Sequence, residues 1–167
     1  MRRFIRNVGV FVLGCLCGAY TMSFYNQNTK NKLLDLSRKD SELFRLMYKW
    51  MSIKQSDLDI SEYFQNRGIN KIAIYGVNNV GRVLINELVG SCINVSYGID
   101  RKPENAAGVI KMLKPDDSLE EVDAIVVTAI HQYDEIEKML SHKVDYRVVS
   151  ISDVIDSLLY EKMGKTC

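Results

Sequence analysis

The stretch Lys71–Asp100, KIAIYGVNNVGRVLINELVGSCINVSYGID, reads as strand, glycine turn, helix and strand, and it ends on an acid. Lys71–Tyr75 is a short Ile-rich run with no breaker, long enough for a buried strand and too short for a helix. Gly76 ends it. From Val80 the period changes, so that Val80, Val83, Leu84 and Leu88 share one helical face and Arg82, Asn86 and Glu87 the other. Gly90 and Ser91 stop the helix, and Asn94–Ile99 is the second strand. Two strands joined by a helix run parallel, with a right-handed crossover. This is the first unit of a doubly wound sheet of the nucleotide-binding type.

The turn Gly76-Val77-Asn78-Asn79-Val80-Gly81 compares with the dinucleotide fingerprint G-x-G-x-x-G, which an acid follows about 20 residues on. Asp100 lies 19 residues past Gly81. The first glycine permits the tight turn and the third permits close helix–strand packing. The middle glycine, which lets backbone approach a pyrophosphate, is Asn78 here. Asn tolerates left-handed dihedrals, so the turn keeps its shape, yet its side chain occupies space the phosphates need. If a ligand binds, the helix start at Asn79–Val80 holds a phosphate, and Asp100, with Arg101 beside it, meets a ribose hydroxyl. If none binds, the glycines only make a compact turn and Asp100 caps the next loop.

The remaining strands follow. Val109–Leu113 is a weakly marked third strand, and Pro115–Ser118 is a turn. Asp123–Ile130, DAIVVTAI, is β-branched and nearly uncharged, as a central parallel strand is. Gln132–Leu140 is a helix with Ile136, Met139 and Leu140 inward; Tyr146–Ile151 is the fifth strand and Asp153–Tyr160 a closing helix. The fold class is therefore α/β: a Rossmann-like half-domain with a parallel sheet of about five strands in the order 3-2-1-4-5.

Ahead of the sheet, Arg2, Arg3 and Arg6 precede Val8–Tyr25, which carries no charge and is just long enough to cross a bilayer as a helix. A cleaved signal peptide is the competing reading, but Tyr20–Ser23 offers no A-x-A site. The prediction is an uncleaved single-pass anchor in the cell membrane. Basic residues on both flanks nearly tie, so placing the globular domain in the cytoplasm follows from the nucleotide reading alone. Gly14 and Gly18 form a G-x-x-x-G pair, read as ordinary small residues of a membrane helix.

Asn26–Asn31 reads as a polar connector and Lys32–Gln55 as a helix. Leu36, Leu43 and Trp50 recur every seventh residue, with Met47 in the seam and Asp40 interrupting it. This fits a short homo-oligomeric coiled coil through 32–55, or an amphipathic helix laid on the domain with Trp50 as its anchor. Ser61–Phe64 starts a short helix ending at Gly68. The expected organisation is an anchor at 1–25, a linker and amphipathic helix at 26–59, and the Rossmann-like domain at 60–167.

The net charge of +1 and the lack of a basic patch with interleaved aromatics argue against nucleic acid. Cys15, Cys17, Cys92 and Cys167 show no paired spacing and no match with His131 or His142, which argues against a disulfide framework or a metal site. His131, directly after strand four, is the weak candidate for acid–base chemistry. No Y-x-x-x-K pair occurs and no second domain follows to hold a substrate. Both absences argue against a self-sufficient oxidoreductase, and a half-site completed by a partner remains open.

Lys71–Asp100 and Glu120–Leu140, together with LMYKWMSIKQ (Leu46–Gln55), ISEYF (Ile60–Phe64) and IAIYG (Ile72–Gly76), resemble small Rossmann-like, nucleoside-diphosphate-sugar epimerase-like proteins of Firmicutes polysaccharide biosynthesis loci. The resemblance covers about Lys39 to Val154. It implies a role accessory to surface-polysaccharide assembly beside a biosynthetic enzyme, with NAD(P) or a nucleotide-sugar as the expected ligand at Gly76, Asn78, Asn79, Gly81, Asp100 and Arg101. DAIVVTAIH is also similar to the fourth-strand region of glucose–fructose oxidoreductase-type enzymes. Three functions are thus expected in order: a membrane-anchored nucleotide-binding module, an NAD(P)-dependent half-site, and a non-binding scaffold.

Overall fold

Strands β1 (Lys71–Tyr75), β2 (Asn94–Ile99), β3 (Met112–Leu113), β4 (Ala124–Val127) and β5 (Arg147–Ser150) form one sheet in the order β3-β2-β1-β4-β5. Every pairing is parallel. The computed structural model describes residues 2–56, 58–106, 108 and 110–165, with side chains described from Tyr20 onward except at 105, 106, 163 and 165. Helices are α1 (Arg2–Lys54), α2 (Ile60–Gln65), α3 (Asn79–Leu88), α4 (Tyr133–Ser141) and α5 (Ile151–Lys165). The chain divides into two units, Met1–Phe44 and Arg45–Cys167.

In the second unit both faces of the sheet are covered, which is why β1 and β4 read as unbroken apolar runs. Ile72, Ile74, Ala124 and Val126 face a core built with α2, α3, α5 and the end of α1; Ala73, Tyr75, Ile125 and Val127 face α4. The crossovers β1–α3–β2 and β4–α4–β5 thus lie on opposite faces, as right-handed connections running outward from the sheet centre require. Among the described residues between β2 and β3 there is no α-helix, and a 3₁₀ turn stands at Pro103–Ala106. A groove of about 440 Å³, lined by Ile85, Val89, Val95 and Ile110 among others, opens beside that strand pair.

The β1–β2 register slips once. Ile72 pairs with Val95 but Ala73 pairs with Tyr97, so Ser96 is the extra residue of a bulge. The slip turns Tyr97 toward α4, where its hydroxyl donates to the Glu120 carbonyl at 2.6 Å. Burial, reinforced by Tyr146 and Glu120, pushes that hydroxyl's pKa up to about 12. Gly98 then faces the α3 side, where a Cβ would stand 2.5 Å from Val77 Cγ2 and 2.7 Å from Met112 Sδ.

Several boundaries differ from the sequence reading. Val83 is 38 % exposed and Ile85 is buried in its place, because Gly81 makes the closest approach to the sheet and centres the face on 81, 84, 85 and 88. The connector at Asn26–Asn31 is helical: no Gly or Pro stands between Gly18 and Gly68, and Thr29 Oγ1 donates to the Tyr25 carbonyl at 3.0 Å. β4 stops at Val127, and the third strand keeps only Met112–Leu113 of the predicted Val109–Leu113, with Val109 itself outside the described residues. The closing helix starts at Ile151 and runs to Lys165.

The amphipathic helix is the end of α1. Leu46, Trp50 and Ile53 are buried in the second unit's core, whereas Leu36 of the first unit is 57 % exposed. Among the described residues no helix is long and apolar enough to cross a membrane. Positions 8–19 of the predicted span Val8–Tyr25 lie outside the residues whose side chains are described.

The start of β1 is held from below by Asp123. Its Oδ2 accepts from the backbone N–H of Asn70 and of Lys71, each at 2.8 Å. These two amides hold its carboxyl below the usual carboxylate range. A carboxyl lowered in the fold adds stability above its unfolded value of about 3.9 and loses it as pH falls through the folded value. Acid unfolding followed by circular dichroism is therefore expected to be shallower below about pH 4 for Asp123→Asn, whose amide oxygen still accepts but does not titrate.

Candidate rim of the sheet at the topological switch

Tyr75 pairs with Ile99 on one side and Val127 on the other, so Gly76, Asp100 and Thr128 leave three adjacent strands at one level. This is the edge where an open α/β sheet places a ligand, at the switch between β1 and β4. The sequence-predicted residues Gly76, Asn78, Asn79, Gly81, Asp100 and Arg101 all stand there, and His131 follows in the 3₁₀ turn Ile130–Gln132.

The outer two glycines do what the fingerprint asks. Gly76 has φ +88°, a conformation that favours glycine. A Cβ on Gly81 would stand 2.6 Å from the Gly76 carbonyl oxygen, so only glycine lets α3 lie this close to the strand end. Thr128, fully buried, fixes the turn from β4: its Oγ1 donates to the Gly76 carbonyl and lies 3.3 Å from that of Tyr75. Val77, buried between the turn and Gly98, fills the space below it.

The middle position behaves differently. Asn78 has extended backbone (φ −84°, ψ −163°) and is the N-cap of α3. Its Oδ1 accepts from Val80 N–H at 2.9 Å and from Gly81 N–H at 3.2 Å. These are the helix-start amides that a phosphate would use. The carboxamide oxygen takes both, so the residues present do not fit a pyrophosphate. Removing such a cap costs only about 1 kcal/mol, but Cβ and the rest of the side chain still stand where phosphate and backbone would meet.

Asp100 is likewise engaged within the chain. Its N–H donates to the Leu113 carbonyl at 3.0 Å, and its Oδ1 accepts from Lys102 N–H at 2.9 Å, closing an Asx turn over the next loop. Arg101 reaches across to Glu135 of α4 at 3.2 Å. The Glu135 carboxylate, and next the Tyr75 hydroxyl, hold the guanidinium above its ordinary pKa. That hydroxyl is buried beside Arg101 without a hydrogen bond of good geometry. His131 is exposed. Among the described residues no group of His, Cys, Asp or Glu would hold a metal ion.

Sequence reasoning placed the rim, with Asn78 and Thr128 on it, but not the bonds that these two make. Thr128 was read at the edge beside strand four, but not as the donor to the Gly76 carbonyl. Asn78 carried a signal that was open to use, since Asn is among the strongest N-cap residues. No family model, no curated protein and no solved structure matches the chain.

Proposed function

We propose that the chain is a membrane-tethered Rossmann-like scaffold whose sheet rim is closed to dinucleotides by its own Asn78. The capping of Val80 and Gly81 by the Asn78 carboxamide carries this reading. Support for the tether comes from the sequence of α1, which holds no charged residue between Arg6 and Lys30 and whose last turns are core residues of the sheet domain. An accessory place in surface-polysaccharide assembly rests on the resemblance of Leu46–Gln55, Ile60–Phe64 and Ile72–Gly76. The rim offers protein partners a polar surface of Asn79, Arg101, His131 and Glu135.

The test is calorimetric titration of the full chain in detergent with NAD, NADP and UDP-sugars, beside Asn78→Gly. The wild type is expected to bind none of them. Asn78→Gly frees two amides and the space above them, and is expected to gain at least about tenfold in affinity, the equivalent of one recovered charge-assisted hydrogen bond of about 1.5 kcal/mol. Micromolar binding by the wild type, lost in Asp100→Ala, would instead establish the nucleotide-binding module.

A further inference from the structure

Tyr75 ends β1, and its ring belongs to the core that faces α4, so the residue is only 4 % exposed. Its hydroxyl is buried beside the Arg101 guanidinium and has no hydrogen-bond partner among the described residues. Such a group destabilises a fold, because water satisfies it in the unfolded chain. Phenylalanine would fill the same space without leaving a polar atom dry. An orphaned hydroxyl at the edge where an open sheet holds its ligands points to something that completes it.

The neighbours define the chemistry. Arg101 follows β2 and Glu135 stands in the first turn of α4, so the three groups meet where two strand ends approach that helix. Glu135 takes one bond, from Arg101 Nη2 at 3.2 Å. A guanidinium presents a planar fork that matches both oxygens of a carboxylate, and this single bond uses only part of it. Glu135 is thus a carboxylate already seated on Arg101, but it makes no bond to the Tyr75 hydroxyl. The pair is open to solvent, the two side chains being 60 % and 71 % exposed. Exposed pairs hold their partners weakly, so Glu135 can turn into water with little loss.

We propose that Tyr75 and Arg101 form a binding site for a single carboxylate, covered in the free protein by Glu135. One oxygen of the incoming group accepts from the guanidinium and the other from the Tyr75 hydroxyl, which completes the orphan. A carboxylate suits this place better than a phosphate. Asp100 and Asp134 stand next in sequence to Arg101 and Glu135, and a phosphate would bring about two negative charges to these acids where a carboxylate brings one. The site is on the α4 face of the sheet, whereas Asn78 caps α3 on the opposite face. The inference rests on the proposed function only in taking this rim as the working edge. It adds the chemical group that a partner or a small acid presents there.

The experiment is a titration of the full chain in zwitterionic detergent with sodium acetate, replacing sodium chloride at constant ionic strength. It is read by nuclear magnetic resonance on the Arg101 Nε–H of protein with isotopically labelled arginine, the resonance being identified by its loss in Arg101→Lys. Acetate is expected to shift it saturably at roughly millimolar concentration. Tyr75→Phe is expected to weaken binding about tenfold, the equivalent of about 1.4 kcal/mol. The same variant is expected to unfold at an equal or higher urea concentration than the wild type, since it removes an unpartnered hydroxyl. Glu135→Gln is expected to bind acetate about fivefold more tightly, the effect of releasing an exposed pair. A blocked peptide with one glutamate, beside its glutamine counterpart, identifies the source of the carboxylate. Binding of the glutamate form alone, at least tenfold tighter than acetate, supports the site with a protein partner; affinity equal to that of acetate supports it with a small acid. Three results overturn the proposal: a shift that does not saturate, unchanged affinity in Tyr75→Phe, or phosphate binding more tightly than acetate. Asn78→Gly is expected to leave acetate binding unchanged, so the closure to dinucleotides and the carboxylate site stand or fall separately.

Discussion

Trp50→Ala is expected to destabilise the sheet domain by about 3–5 kcal/mol, the range for emptying a buried tryptophan site. Trp50 is 2 % exposed, among core residues of α2, α3 and α5. Its Nε1–H donates to Glu87 Oε2 at 3.0 Å, and Lys54 Nζ lies 3.1 Å from Glu87 Oε1. Truncation leaves a cavity and removes the donor from a carboxylate whose side chain is itself 8 % exposed. Against a typical domain stability of about 5–15 kcal/mol, that loss consumes a large part of the whole. The measurement is urea unfolding followed by far-ultraviolet circular dichroism, since Trp50 is the only tryptophan and its fluorescence disappears with it. Trp50→Phe separates the two contributions: it keeps most of the packing and gives up the bond to a charged acceptor, an expected loss of about 2 kcal/mol. A loss under 1 kcal/mol in the alanine variant would show that the end of α1 is not part of the domain's cooperative unit.

Gly81→Ala is expected to cost about 2 kcal/mol, although alanine is the better helix former by about 1 kcal/mol. The new Cβ would stand 2.6 Å from the Gly76 carbonyl oxygen and 3.2 Å from Thr128 Oγ1. The nearest of these is backbone, so relief requires α3 to move off the strand end. Gly164 supplies the contrast. It is also helical, with open space around its Cβ position, so Gly164→Ala is expected to stabilise by about 0.5–1 kcal/mol. Opposite signs for the same chemical change would show that proximity, rather than helix propensity, keeps glycine at position 81. Thermal or urea midpoints of the two variants decide this.

The sheet was legible because parallel central strands need apolar residues on both faces, and Ile72–Tyr75 and Ala124–Val127 supply them without interruption. Handedness then orders the strands without further information. The ends of elements were less legible, because they are set by contacts between distant residues. β4 stops where Thr128 turns its hydroxyl onto the Gly76 carbonyl. The start of β1 is fixed by Asp123, far along the chain. The seven-residue spacing of Leu36, Leu43 and Trp50 looks the same whichever surface covers it. Only the fold shows Trp50 inside the domain and Leu36 outside any core. At the rim, spacing identified which residues share the edge, but not how they are engaged. Asn78 and Asp100 satisfy neighbouring backbone amides of the same chain, and a short polar side chain serves a cap or a ligand equally well.

The two-residue length of β3 also bears on how these molecules behave in a crowd. An edge strand is a template on which another chain can build a ladder, and long edges carry the risk of polymerisation. Met112–Leu113 offers a newcomer no more than a couple of bonds, and the charged turn at Lys114–Asp117 follows immediately. Growth of the sheet by a further strand on this side is therefore disfavoured.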